Sequence, residues 1–420
     1  MSENMLAILS LFFLIAAIAL GFLMKKNIGF ISIGFALILG KLAGYSDSTI
    51  ISGFSASLFV TLAGVTFLFA IAEENGTLEL MAKKIVALSG RKTALIPVAM
   101  FVLGFIISAM GPGPIPAHAL VAAFGVPLAL QMGANPMFIC AMGQLGAMAG
   151  CGSPLSPTAI IGENLAAEAE ISGITFPMFA STALCFFLYA AFIYLVVFRG
   201  FKLRGENPIK LHELPAFTRE QKITMLGVAI MAVVVLIFGF NVGLVSFLVS
   251  VVLGFLKVGD EKACLKKMPW GTILMVCGVG ILMGEVIDLG GIDIVVQSLT
   301  SIMTAATATA IFGIACGVLS WFSSTSGVVM PTMIPTIPDF AASIGVNEVE
   351  MVVACVIVAN CAGLSPASTA GAQVLAYTSS LSNLDAAQSN KLFIRLFILS
   401  AGGILFMTIL GILGLFRIFC

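Results

Sequence analysis

The chain is short of what keeps a protein in water. Of its 420 residues only 20 are Lys or Arg and 20 are Asp or Glu, while 60% are hydrophobic, and the mean hydropathy is +1.14. So few polar side chains cannot clothe a soluble globule of this size, and the chain reads as a polytopic membrane protein. A formal net charge of zero leaves nothing to attract nucleic acid. Histidine is scarcer still, with His118 and His212 alone, and the nine cysteines are scattered with no CxxC pair and no histidine at ligand spacing. That argues against a zinc site and a disulfide framework, and no metal or cofactor is expected beyond a transported sodium ion. No basic region precedes the apolar stretch from Met5 to Met24, so it is read as a first span and not as a cleavable signal.

What is present is a succession of apolar segments. Spans are expected at about 5–24, 28–44 and 53–74, followed by a paired stretch, 94–110 and 115–131, broken at GPGPIP. A segment at 135–165 is interrupted at GCGSPLSP, another follows at 174–198, and a polar loop occupies 199–221. The second half repeats the order: 223–240, 242–256, 270–288, a pair 305–322 and 327–343 broken at SSTSG, then 347–380 interrupted at GLSPAST, and 392–416.

Charge placement tests this map, because Lys and Arg gather on the cytoplasmic side. If the paired stretches enter and leave on one face while the interrupted segments cross, each half has five crossings. Of the 20 basic residues 18 then share one face, and only Lys41 and Arg417 fall outside it. An odd number of crossings turns the two halves upside down relative to each other. They also align without a gap at an offset of 212, which puts Glu73 on Glu285, Gly111 to Pro114 on Ser323 to Ser326, and Ser153, Pro154 and Ser156 on Ser365, Pro366 and Ser368. Over 94–165 nine of 72 positions are identical, three of them in the SPxS motif. The fold expected is an all-α membrane protein, an inverted five-plus-five repeat with two re-entrant hairpins and two broken helices.

Irregular backbone inside hydrocarbon leaves N–H and C=O groups unpaired, so it is tolerated only when buried in protein or lining a wet cavity. The four interruptions are therefore expected to meet, and helix starts exposed there suit an anion while carbonyls at helix ends suit a small cation. Substrate contacts are expected from Ser153, Ser156 and Thr158 in the first half, from Ser365, Ser368 and Thr369 in the second, and from the tips Gly111, Pro112, Gly113 and Ser323, Ser324, Thr325. Gly150, Cys151, Asn360, Ala362 and Gly363, at the ends of the first limbs of the broken helices, are the candidates for holding a coupling ion. His118 lies just past the first tip and is a candidate for carrying a proton or touching substrate. Bonding to a carbonyl one turn back is the plain alternative for each hydroxyl. Glu73, Glu285 and Glu163 are read as acids at helix ends that water reaches. No Lys or Arg lies in any interruption, so an anion would rely on peptide dipoles, hydroxyls and a co-bound cation, which favours sodium coupling.

At this point the motifs resemble a family. WFSSTSGVVMP is similar to the hairpin-tip signature of the divalent anion/sodium symporters, and SPLSP and LSPAS resemble the broken-helix loops of the wider ion transporter superfamily. With GLSPASTAGA the closest likeness is to its malonate-type dicarboxylate carriers. The resemblance implies a non-enzymatic elevator-type carrier, a homodimer in a bacterial inner membrane, taking up malonate- or succinate-like dicarboxylates with sodium or protons. It divides the chain into scaffold (1–75, 222–288), interfacial arms (76–90, 289–302) and transport domain (91–198, 303–420). Ser323 and Thr325 keep the family's Ser and Thr, Ser324 stands in place of its Asn, and Gly111, Pro112 and Gly113 stand where the first Ser-Asn-Thr would be. On the same scaffold a sodium/proton antiporter or an inorganic anion exporter is the alternative, disfavoured because no acid lies within an interruption. An intramembrane serine protease would need a base beside Ser326, and a channel would not call for two-fold inverted breaks.

Overall fold

The computed structural model describes residues 3–24, 26–90, 92–204, 207–294, 301, 303–382 and 384–420. Among these the chain is all helical, and nine helices are long and apolar enough to cross a bilayer, or ten if a bent pair counts as one more. In chain order they are α1 (Glu3–Met24), α2 (Ile28–Ala43), the short α3 (Asp47–Ser52), α4 (Ala56–Glu74), α5 (Thr77–Ala87), α6 (Ile96–Met110), α7 (Pro114–Gln131), α8 (Pro136–Gly150), α9 (Pro157–Glu168) and α10 (Thr175–Phe192). The second half has α11 (Arg219–Phe238), α12 (Val242–Phe255), the short α13 (Glu261–Lys267), α14 (Trp270–Asp288), α15 (Ala308–Phe322), α16 (Thr325–Ile344), α17 (Glu348–Cys361), α18 (Thr369–Leu381) and α19 (Ala386–Ile412). A displacement of 212 carries α6 onto α15 residue for residue, and it brings the starts of α1 to α4 and of α7 to α10 within four residues of helix starts in the second half.

Local chemistry sets these bounds. Side chains of Asn27, Ser55, Asn135, Thr218, Asn241 and Asn347 accept from the first amides of the helices they precede, so those starts are satisfied. Gly44, Gly239 and Gly345 end α2, α11 and α16 in the left-handed conformation. Pro331, Pro335 and Pro338 each remove a donor from α16, which runs as short wide, regular and tight turns instead of one ladder. The pair α15 and α16 bends by 118°.

Contacts between the halves are reciprocal: α2 packs on α14, and α12, the counterpart of α2, packs on α4, the counterpart of α14. Both crossings are close because glycine meets glycine, Gly29 against Gly278 and Gly64 against Gly243. A second group of helices, α6 to α10 with α15 to α19, holds the interruptions. There α6 lies on α8 along Gly104, Gly143, Gly146 and Gly150, where a Cβ on Gly104 or Gly146 would meet facing backbone oxygen.

The stretch expected as the first arm is helical: α5 buries Leu78, Leu80, Ala82 and Val86 and turns the Glu79–Lys83 pair outward at 2.6 Å. Of its expected counterpart at 289–302, residues 295–300 and 302 lie outside the described residues. Both bases that stand apart on the charge map have an acid: Lys41 lies 2.5 Å from Asp47, and Arg417 Nε donates to Glu350 Oε2 at 2.8 Å. Glu285 corrects the expectation that water reaches it. Gly40 of α2 packs against its carboxyl group, it is 3% exposed, and neither of its oxygens has a partner. Glu73 is half-exposed, 3.9 Å from Lys267, as expected of a helix end.

The glycine contacts generate a prediction. Gly146→Ala would press a methyl group into the carbonyl of Phe101, whereas a Cβ on Gly254 meets nothing, so in detergent the first substitution should lower stability by about 1–3 kcal/mol and the second by far less. Equal melting temperatures for the two variants would contradict the close approach.

Candidate functional site

The four interruptions converge, but they are not alike. At the first tip Gly111 and Gly113 adopt φ of 137° and 77°, values a side chain would strain, and Pro114 then starts α7. Phe69 of α4 closes over Gly111, and a Cβ on Gly113 would come within 2.8 Å of Pro157. This tip is a packed turn with no room for a ligand. The departure from Ser-Asn-Thr thus has a physical reason: GPGP makes a tight reversal that seats against α4 and the start of α9.

The second tip is open. A cavity of about 220 Å³ is lined by Trp321 to Ser326 at this tip, by Asn360, Gly363 and Ala367 to Ala370 at the second broken helix, and by Pro114, Ile115 and His118 from the first hairpin. Among the lining residues only His118 can carry charge; there is no Lys, Arg, Asp or Glu.

Most tip hydroxyls are spoken for. Ser323 Oγ donates to the Leu319 carbonyl at 2.7 Å, Ser324 Oγ accepts from the Gly327 amide at 3.1 Å, and Thr325 Oγ1 lies 2.7 Å from Ser320 Oγ and donates to the Ala359 carbonyl at 3.2 Å. These bonds hold the tip against α17 and fix its shape. Asn360 Nδ2 donates to the Val356 carbonyl at 2.7 Å, and its amide oxygen is then the group that can face a ligand or cation. The richest polar surface is the start of α18. No side chain caps it at Ser368, so the first amides of α18 carry their partial positive charge at the wall of the cavity.

The remaining expected residues lie elsewhere. Ser365 is fully buried, and its Oγ accepts from the Ala367 amide at 3.2 Å, shaping the break. Ser153 Oγ donates to the Ala109 carbonyl at 2.7 Å and ties the first break to the first hairpin. Ser156 is buried with an unpartnered hydroxyl, and α9 also starts without a side-chain cap. Thr158 Oγ1 lies 3.4 Å from Ser326 Oγ, joining the first break to the second tip. Gly111, Pro112, Gly113, Gly150, Cys151 and Ala362 are packed near the breaks but do not line the cavity.

One residue was not singled out from sequence. Gln144, fully buried in α8, donates from Nε2 to the Ala370 carbonyl at 2.8 Å and so ties the first half to the start of α18. His118 lies against its backbone. The signal was legible: Gln144 is the one amide in an otherwise apolar and small-residue helix.

Comparison with known proteins adds two findings. Residues 1–151 match the family model of the dicarboxylate carrier protein MatC N-terminus, a match that stops at the first break. Among solved structures the chain is similar to the YdaH transporter of Alcanivorax borkumensis, with a TM-score of 0.59 and 14% identity over 87% of this chain and 88% of that one, a likeness of fold. No curated protein matches. The motifs that resemble the malonate-type carriers lie beyond residue 151, outside the stretch that this family model matches.

The cavity makes its own prediction. With Cys420, the one exposed cysteine, replaced by Ser, Ser368→Cys should react with a small water-soluble thiol reagent far faster than Ser365→Cys, three residues away. Equal reactivity would mean that the cavity does not open at the start of α18.

Proposed function

We propose that this chain is a secondary active carrier of small organic dianions of the malonate or succinate class, driven by a sodium or proton gradient. The observation that carries the reading is the uncapped start of α18 facing the open second tip across a small cavity that no Lys or Arg lines. Helix-start amides favour a carboxylate, and the Asn360 oxygen with carbonyls at the end of α17 offers a cation a place beside it, so that anion and cation stabilise each other in a low-dielectric chamber. The match of residues 1–151 to a dicarboxylate carrier family supports the same cargo.

In this reading the halves are inverted copies. The scaffold (1–75, 222–288) and the transport unit (91–198, 303–420) move past each other as an elevator, and two protomers pair through their scaffolds in a bacterial inner membrane. The equal spacing of the helices at 212 residues and the reciprocal contacts of α2 with α14 and of α12 with α4 support the inversion. The concentration of interruptions in one group of helices supports the partition.

Uptake into proteoliposomes tests the proposal. With sodium and pH gradients imposed separately, malonate or succinate uptake should saturate, follow one of the gradients, and be inhibited by dicarboxylates more than by mono- or tricarboxylates. Ser368→Ala should raise KM about tenfold, the loss of one hydrogen bond to a charged group. Uptake that neither saturates nor responds to a cation gradient would refute a coupled carrier.

A further inference from the structure

His118 is the only titratable side chain on the cavity wall, and it is 5% exposed with Nε2 lacking any partner in the protein. Its ring lies against the backbone of Gln144. The titratable groups around it are few. On α7 there is no other; of the helices packed on α7, α6 has none, α8 has Cys140, whose Sγ points to the Val121 carbonyl at 3.8 Å, and α18 has Tyr377. The second tip and Asn360 across the cavity contribute no acid or base. Among the described residues, therefore, nothing charged faces His118 while the cavity is empty. A charge brought beside it in a medium of low dielectric constant acts strongly and needs no direct contact.

We propose that His118 takes up a proton when a dicarboxylate occupies the cavity and releases it when the cavity empties, so that substrate binding and protonation are linked. This rests on the dicarboxylate reading above. The proton comes from bulk water, forms the second N–H bond of the imidazole ring, and returns to water on release; no other bond changes. A dianion attracts the imidazolium, and by reciprocity the imidazolium strengthens binding of the dianion. The sign follows: below the titration midpoint of the occupied state binding tightens as pH falls, by up to about tenfold per pH unit, until the midpoint of the empty state is reached. Sodium can act at the carbonyl side of the same chamber without altering this linkage.

The rarity of histidine makes the test direct. His212 sits in the exposed polar loop, so in the full chain carrying His212→Gln and 13C at histidine Cε1 a single ring signal remains. Titrated through about pH 6 to 8.5, around the ordinary histidine range, with sodium held constant, that signal should move to its imidazolium position at a pH at least about one unit higher with saturating succinate than without it. Wild-type KM for succinate should fall as pH falls over this range, and that of His118→Gln should not. A midpoint that ignores succinate, in a preparation that still takes succinate up, overturns the linkage and leaves the carrier standing. A preparation that takes up no dicarboxylate at all sinks the dicarboxylate reading and this inference with it.

Discussion

A peptide group inside hydrocarbon must find a hydrogen-bond partner, and most of this structure follows from where the chain leaves that need unmet. Over the long apolar helices the ladder is complete and side chains can be as greasy as they are. At GPGP, at SSTS and at the two SPxS motifs it is not, and the four segments gather where protein covers them. The first tip is covered by Phe69 and Pro157, and Ser153 Oγ donates to the Ala109 carbonyl beside it. The second meets the need partly with hydroxyl and carbonyl bonds to Ser320, Leu319 and Ala359, and leaves a cavity where the amides of α18 wait for a ligand. The two tips thus differ, one a packed turn and one beside an open cavity.

Much of the fold was legible because membrane segments are constrained twice, by length and by backbone satisfaction. The interruptions at 111–113, 151–156, 323–324 and 362–368 fall where Gly, Pro and Ser cluster. The short helices α3 and α13 were not expected, since amphipathic turns of six or seven residues carry little periodicity. The site was legible by region and less so by residue. A row of hydroxyls announces an irregular backbone, yet the sequence does not tell which hydroxyl faces a ligand and which closes on a carbonyl one turn back. Ser365 and Ser368 illustrate this: they lie three apart in one motif, one buried in the turn and one on the cavity wall. Gln144 lies in a regular helix and not at a break, where the polar clusters of the sequence concentrate.

Charge is rationed in a way that suits a carrier. Both isolated bases are held by acids, so that neither Lys41 nor Arg417 offers a free cation to a passing anion. The buried Glu350 is bonded on both oxygens, by Thr309 and Arg417. Glu285 stands apart, buried against Gly40 without a partner, and the structure offers no role for it. In the proposed reading the chamber holds its cargo through peptide dipoles without a fixed positive charge, so that an anion held lightly can leave as readily as it enters.

The account depends most on the two halves lying in the membrane in opposite senses. Ser172, in the loop after the first broken helix, and Ser382, in the loop after the second, occupy corresponding places in the two halves. Placed singly as cysteines on a Cys420→Ser background in sealed vesicles, they should react with an impermeant thiol reagent from opposite sides of the bilayer. Labelling of both from the same side would contradict the inverted plan and the meeting of hairpins that the chamber requires.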